Sequence, residues 1–201
     1  MLALYRNALG RLILLAVSIS LVESAQAQIR DTAVACGATE KGIALCLYTS
    51  VRSDILTVEL KNRGSADAVL NLGFMFGNGR NQYASAIALE FKDESGKIYR
   101  GIPAHPPGAG IGGRLEPLIV PLPAGASIKL PLYIGDCGLN TDGKFERFGP
   151  DPKKSYSVIA IFSGKPIANA NPSVDYSSLP LWVGTASSNS VPLDANDQSA
   201  K

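Results

Sequence analysis

The stretch DILTVELKN, residues 54–62, alternates apolar and polar side chains. Leu56, Val58 and Leu60 share one face of an extended chain, and polar side chains occupy the positions between them. A period of two residues is typical of a β-strand that buries one face and exposes the other. The stretch therefore predicts a half-buried strand.

The same period recurs along most of the chain. It returns in SIKLPLYIGD, residues 127–136, where Pro131 on the outward face favours an edge strand or a bulge. Further strands are predicted at residues 43–49, 68–74, 84–93, 97–101, 155–164 and 188–193. Turn signals separate these strands, and no sustained helical period lies between them. The pattern predicts an all-β fold, an antiparallel sandwich of about 7–9 strands spanning residues 42–194.

The C-terminal quarter of the chain resembles a known family. YSVIA, residues 156–160, is followed by WVG, residues 182–184, and by SNSV, residues 188–191. This order is similar to the last strands of secreted bacterial immunoglobulin-like domains, in which a Tyr opens the penultimate strand and a final strand closes the sheet. The resemblance implies an immunoglobulin-like β-sandwich and carries no activity with it.

One segment interrupts the strand pattern. IPAHPPGAGIGGRLEPLIVPLPAG, residues 102–125, is rich in Gly and Pro and predicts a long crossover loop. GAGIGG within it, residues 108–113, fits the G-x-G-x-x-G spacing of dinucleotide-binding turns. That chemistry needs a buried strand before the glycines and a helix after them, whereas prolines flank both sides here. A dinucleotide site is excluded on that ground, and no cofactor is expected.

The first 27 residues of the chain predict export. Arg6 and Arg11 precede an apolar run from Leu12 to Val22, and small residues follow at Ala25 and Ala27. Residues 1–27 therefore read as a cleaved signal peptide, since the run is shorter than the roughly 20 residues of a membrane span. Residues 28–41 are expected to form an N-terminal segment and residues 195–201 a flexible tail. We expect a secreted or periplasmic protein without a membrane span in its mature chain.

Three cysteines are candidates for a disulfide in such a compartment, namely Cys36, Cys46 and Cys137. One bridge and one free thiol is the simplest arrangement. A bridge that includes Cys36 is favoured because this residue precedes the first clear strand, but spacing leaves its partner open. A structural staple is preferred over a redox role, since no C-x-x-C motif is present.

The charge balance of the chain does not point to a strongly charged partner. The chain has 19 Lys and Arg against 17 Asp and Glu, a formal net charge of +2, without a run of basic residues. This balance argues against nucleic acid or an anionic membrane surface as the main partner.

Few side chains of the chain are suited to binding a metal ion. His105 is the single histidine of the chain, one imidazole too few for a copper site with Cys137 and Met75. Oxygen ligands at Asp136, Asn140 and Asp142 form a weak calcium candidate, although the spacing of an EF-hand is missing. We therefore expect no metal site.

Two enzyme alternatives stay open at this point. A Cys137–His105 nucleophilic pair and a pair of carboxylates brought together by folding would each give an exported hydrolase. A third alternative is protease inhibition through the loop at residues 102–125.

The small number of side chains suited to catalysis favours a non-enzymatic binding or interaction module in the cell envelope or extracellular space. Its partner would be an unidentified protein or cell-surface component. Loops at the end of a rigid sandwich often carry binding. We therefore predict contact residues at His105, Arg114, Leu115 and Leu118.

Overall fold

The computed structural model describes residues 31–50, 54–76, 82–103, 115–141, 144–151, 153–167 and 176–194. The predicted signal peptide and the predicted C-terminal tail lie outside these residues. Within the described ranges, no helix has the length and apolar character needed to cross a membrane.

The described residues are mostly strands. They form β1 (Asp31–Cys36), β2 (Ile43–Ser50), β3 (Ile55–Asn62), β4 (Ala68–Phe76), β5 (Gln82–Tyr83), β6 (Ile87–Asp93), β7 (Ile98–Pro103), β8 (Leu115–Leu122), β9 (Ser127–Tyr133), β10 (Cys137–Thr141), β11 (Lys144–Arg147), β12 (Ser155–Gly164), β13 (Gly184–Ser187) and β14 (Val191–Asp194). A 3-10 turn, Ile134–Asp136, joins β9 to β10.

The strands pair antiparallel in three sheets. The first sheet has the order β1-β2-β3-β9, the second β5-β4-β8 and the third β11-β10-β7-β6-β12-β13. β14 also joins the third sheet, where it pairs with the first half of β12 while β13 pairs with the second half.

The core lies between the first and third sheets. Every second residue of β12 from Tyr156 to Phe162 is buried, and β2 crosses this face with Leu45 and Leu47 fully buried. Leu70 and Leu72 of the second sheet belong to the same apolar cluster. Burying one such Leu side chain stabilises the fold by about 1.5–3 kcal/mol. The predicted all-β sandwich with antiparallel sheets is confirmed.

Trp182 closes one end of this core. Its ring stacks on Phe162 with centroids 5.3 Å apart, and its Nε1 donates a hydrogen bond of 3.0 Å to the Lys41 carbonyl oxygen. The ring lies directly on two glycines, since a Cβ at Gly164 would be 2.4 Å from Trp182 Cε3 and one at Gly184 would be 2.9 Å from Cη2. Only glycine fits at positions approached so closely.

β3 is buried on both faces, which corrects the half-buried strand predicted from its alternation. Thr57 and Glu59 on the polar face are 7% and 5% exposed. Tyr48 donates a hydrogen bond to Glu59, and Lys61 forms an ion pair with it at 3.1 Å. Burial alone would raise the pKa of Glu59, but hydrogen bonds from Tyr48, Ser127 and Lys61 outweigh it and lower that pKa. Charge pairing thus makes burial of this polar face possible.

Asn62 holds the corner where the chain passes from the first sheet to the second. Its side chain is buried, and its Nδ2 donates hydrogen bonds of 2.9 Å to the carbonyl oxygens of Ala66 and Leu122. Its Oδ1 accepts a 2.9 Å hydrogen bond from the Gly64 amide, and its own amide donates to the Ala126 carbonyl. One residue therefore ties the β3–β4 connection to the β8–β9 connection.

Six strands were not predicted from the pattern: β1, β5, β8, β10, β11 and β13. The loop predicted at residues 102–125 is shorter in the structure, because β7 extends to Pro103 and β8 occupies Leu115–Leu122. β8 tolerates Pro117 and Pro121 since it is an outer strand with a partner on one side only. Likewise, the segment at residues 28–41 contributes β1, which pairs with β2.

Replacing Asn62 with Ala should lower the free energy of unfolding by about 3 kcal/mol, because buried carbonyl groups would lose their donors. Urea unfolding measures the change. Asn189→Ala is the matched control, since this exposed side chain makes one hydrogen bond, to the Cys36 carbonyl. Equal losses in the two variants would contradict the corner assignment.

Asp93 organises the turn between β6 and β7. Its Oδ1 accepts hydrogen bonds from the amides of Ser95 and Lys97, each at 3.0 Å, and from the Ser95 hydroxyl. Its Oδ2 faces Tyr99 Oη at 3.3 Å and Lys154 Nζ at 3.5 Å. The Ser95 hydrogen bond, followed by Lys97 and Lys154, lowers the pKa of Asp93 to about 2.

This depressed pKa predicts a pH-dependent contribution to stability. The charge of Asp93 favours the fold above its ordinary pKa of 3.8, and this contribution is lost as the pH falls towards about 2. Asp93→Asn should therefore be less stable than the native chain at neutral pH, and the difference should shrink on acidification between about pH 5 and pH 2. Denaturant unfolding across that range tests it. A difference that stays constant with pH would contradict the assignment.

Candidate functional site

A groove of about 460 Å³ lies between the edges of the first and second sheets. β9 forms one wall as the last strand of the first sheet, and β5 and β8 belong to the second sheet. The residues that line it are Gln82, Tyr83, Ala84, Pro103, Leu118, Leu130, Pro131, Leu132, Tyr133 and Asp136.

The groove is mainly apolar and carries one acidic group. Leu118 and Leu132 are buried at its base, whereas Tyr133 is 49% exposed at its rim. Asp136 is the one charged residue among the described lining residues, and it is exposed on the 3-10 turn. The site can therefore take apolar side chains and place one positive charge beside them.

Pro131 determines how β9 can interact. Its ring leaves β9 without one backbone N–H, so a further strand cannot complete a continuous ladder along this edge. The exposed edge of β9 is therefore suited to side-chain contacts more than to backbone pairing.

The structure places two of the four predicted contact residues. Leu118 lines the groove, and Leu115 lies on β8 with 42% of its surface exposed. His105 and Arg114 lie outside the described residues. Both Leu115 and Leu118 belong to a strand and not to the predicted loop.

Sequence reasoning missed Tyr133 and Leu130 as surface-forming residues and considered Asp136 only as a calcium ligand. The available signal was Pro131, which indicates an edge strand. It did not reveal what lies beside that edge, since β5 is separated from β9 by more than forty residues of sequence.

Two of the three calcium candidates lie among the described residues. Asp136 is on the 3-10 turn and Asn140 is on β10, where its backbone pairs with Phe145. Asp142 lies outside the described residues. Within the described ranges, no three His, Cys, Asp or Glu residues are grouped as metal ligands.

The cysteines divide into a bridge and a free thiol. Cys36 and Cys46 lie opposite each other on β1 and β2 and form a disulfide. This bridge ties β1 to the sandwich. Cys137 is fully buried and free, with its Sγ 3.6 Å from the Tyr133 carbonyl oxygen.

Cys137 is held as a neutral thiol. Burial, with a smaller contribution from the negative charge of Asp136, raises the pKa of Cys137 to about 12. A nucleophilic cysteine needs access and a thiolate. The buried thiol has neither property.

Thiol labelling tests this division. At about pH 8 the native protein should not react with iodoacetamide, because Cys137 is buried and protonated. Unfolding without reductant should expose one thiol, and unfolding with reductant should expose three. Cys137→Ser is the control and should lose the thiol seen without reductant. Labelling of native Cys137 would contradict the assignment.

Comparison of the chain with protein-family models, with curated proteins and with solved structures finds no match.

Proposed function

We propose that the protein is a non-enzymatic binding module whose groove holds an extended segment of a partner protein. The segment would place apolar side chains against Leu118, Leu130 and Leu132, and a Lys or Arg beside Asp136. The observation that carries the proposal is the apolar groove between two sheet edges, with the exposed Tyr133 at its rim.

The chemistry of the groove supports a protein partner. Aromatic anchors at the rim of a concave apolar surface are typical of protein interfaces. The exposed carboxylate of Asp136 favours a basic group on the partner, since charge complementarity aids specificity and encounter.

The Cys137–His105 hydrolase alternative has less support. Cys137 is buried with a raised pKa, and its suggested partner, His105, lies outside the described residues. We therefore prefer binding over nucleophilic catalysis.

We also infer that the sandwich is of the immunoglobulin-like class. Tyr156 is the second residue of β12, and its hydroxyl accepts a 3.0 Å hydrogen bond from the amide of Asp151, five residues upstream. A Tyr that bonds back to the preceding backbone in this way is a hallmark of immunoglobulin-type sandwiches. The cross-strand disulfide is in turn compatible with the proposed export to the periplasm or the cell exterior.

Selection from a display library of short random peptides, against the purified mature protein, tests the function. Selected peptides should combine apolar residues with a Lys or Arg. Tyr133→Ala should weaken their binding about tenfold, because exposed aromatic anchors carry much of the affinity of an interface. Ile98→Ala is the matched control, since Ile98 is similarly exposed, at 59%, and does not line the groove.

A second experiment reverses the charge of Asp136. Asp136→Lys should shift the selected peptides from basic to acidic residues, whereas Glu40→Lys, on an exposed residue outside the groove, should not. Binding that survives Tyr133→Ala, or a selection that ignores Asp136→Lys, would overturn the groove assignment.

A further inference from the structure

A second pocket, of about 520 Å³, lies on the opposite side of β7 from the groove. Successive residues of a strand point to opposite faces of its sheet. Accordingly Pro103 lines the groove and Ile102 lines the second pocket. The two sites are separate, and the second is independent of the function proposed above.

A bulge in β4 builds the pocket. The pairing of β4 with β8 shifts register between Asn71 and Phe74, and Gly73 within the bulge has a φ of 138°. Asn71 fixes this turn, because its Oδ1 accepts a 3.2 Å hydrogen bond from the Gly73 amide. A bulge re-aims the side chains around it, and here it leaves an opening beside Phe74.

Backbone hydrogen bonds hold the floor of the pocket in place. The Ala86 amide donates to the Leu72 carbonyl at 3.0 Å, and the Ser163 amide donates to the Ala86 carbonyl at 2.9 Å. β4, the segment before β6, and β12 are thereby connected across the floor. Most of the lining residues therefore lie on hydrogen-bonded strands, while Lys165 and Pro166 follow the end of β12.

The charge of the pocket is positive. Arg100 and Lys165 line it, and its described lining residues include no Asp or Glu. Glu90 beside the pocket forms an ion pair with Arg100 at 3.7 Å, while 56% of the Arg100 side chain is exposed. Because a guanidinium has five N–H donors, this pairing leaves Arg100 able to bind a second carboxylate.

The remaining lining residues define the rest of the ligand. Ser85 and Ser163 bring hydroxyl groups, and Phe74, Ala88 and Ile102 bring apolar surface. A volume of this size is within the range of small-molecule sites, roughly 300–1,000 Å³. An inorganic anion would use the charges and leave the apolar surface uncovered.

We propose that this pocket binds a small organic carboxylate. Arg100 and Lys165 hold the carboxylate group, and the apolar body of the ligand lies against Phe74, Ala88 and Ile102.

Benzoate is a suitable first probe, with benzamide as its uncharged analogue and acetate as its truncated one. At constant ionic strength, titration followed by amide chemical shifts should show benzoate binding at Ala88, Ile102 and Ser163. Benzamide and acetate should each bind about tenfold more weakly, since each lacks one of the two interactions.

Two variants, each with a matched control, test whether Arg100 supplies the positive charge that binds benzoate. Arg100→Gln should weaken benzoate binding about tenfold, whereas Arg63→Gln, which removes an exposed arginine outside the pocket, should not. Glu90→Gln should strengthen binding by releasing Arg100, whereas Glu40→Gln, with the same change in net charge, should not.

Equal binding of benzoate and benzamide, shifts located away from the pocket, or equal effects of Arg100→Gln and Arg63→Gln would overturn the proposal. The same holds if acetate or inorganic phosphate binds as well as benzoate, because the apolar surface would then take no part.

Discussion

The hydrogen bonds of Asn62 are the constraint on which the other features depend. Two connections between sheets pass this buried residue, from β3 to β4 and from β8 to β9. A chain that changes sheets leaves backbone carbonyl groups without ladder partners, and burying them unpaired costs about 1–3 kcal/mol each. The Asn62 amide supplies the missing donors. The corner therefore sets the edges of two sheets side by side.

The two pockets arise from different features of the sheets. The groove lies between β9 and the second sheet, and the second pocket lies where the bulge in β4 opens towards β6, β7 and β12. Their linings differ in charge: Asp136 faces the first, whereas Arg100 and Lys165 face the second. A rigid sandwich thus presents two surfaces of opposite charge on either side of β7.

Much of the fold could be predicted from sequence because the central strands carry a strong period of two. β2, β3 and β12 place apolar residues in the shared core, and each was predicted nearly to its ends. The strands that were missed have weak patterns. β5 has two residues and β11 and β13 have four each, while β8 contains two prolines. Their pairing comes from neighbours that are distant in sequence.

Local chemistry was enough to predict the all-β class, the edge character of β9 through Pro131 and one disulfide among three cysteines. The folded chain was needed to show that Cys46 is the partner of Cys36, that Glu59 is buried beside Tyr48 and Lys61, and that Leu118 and Tyr133 line the same groove. Apart from Glu59 and Lys61, which are both on β3, these pairings join residues on different strands. The proximity of residues on different strands is set by sheet order as well as by register, and sheet order depends on contacts between residues that are distant in sequence.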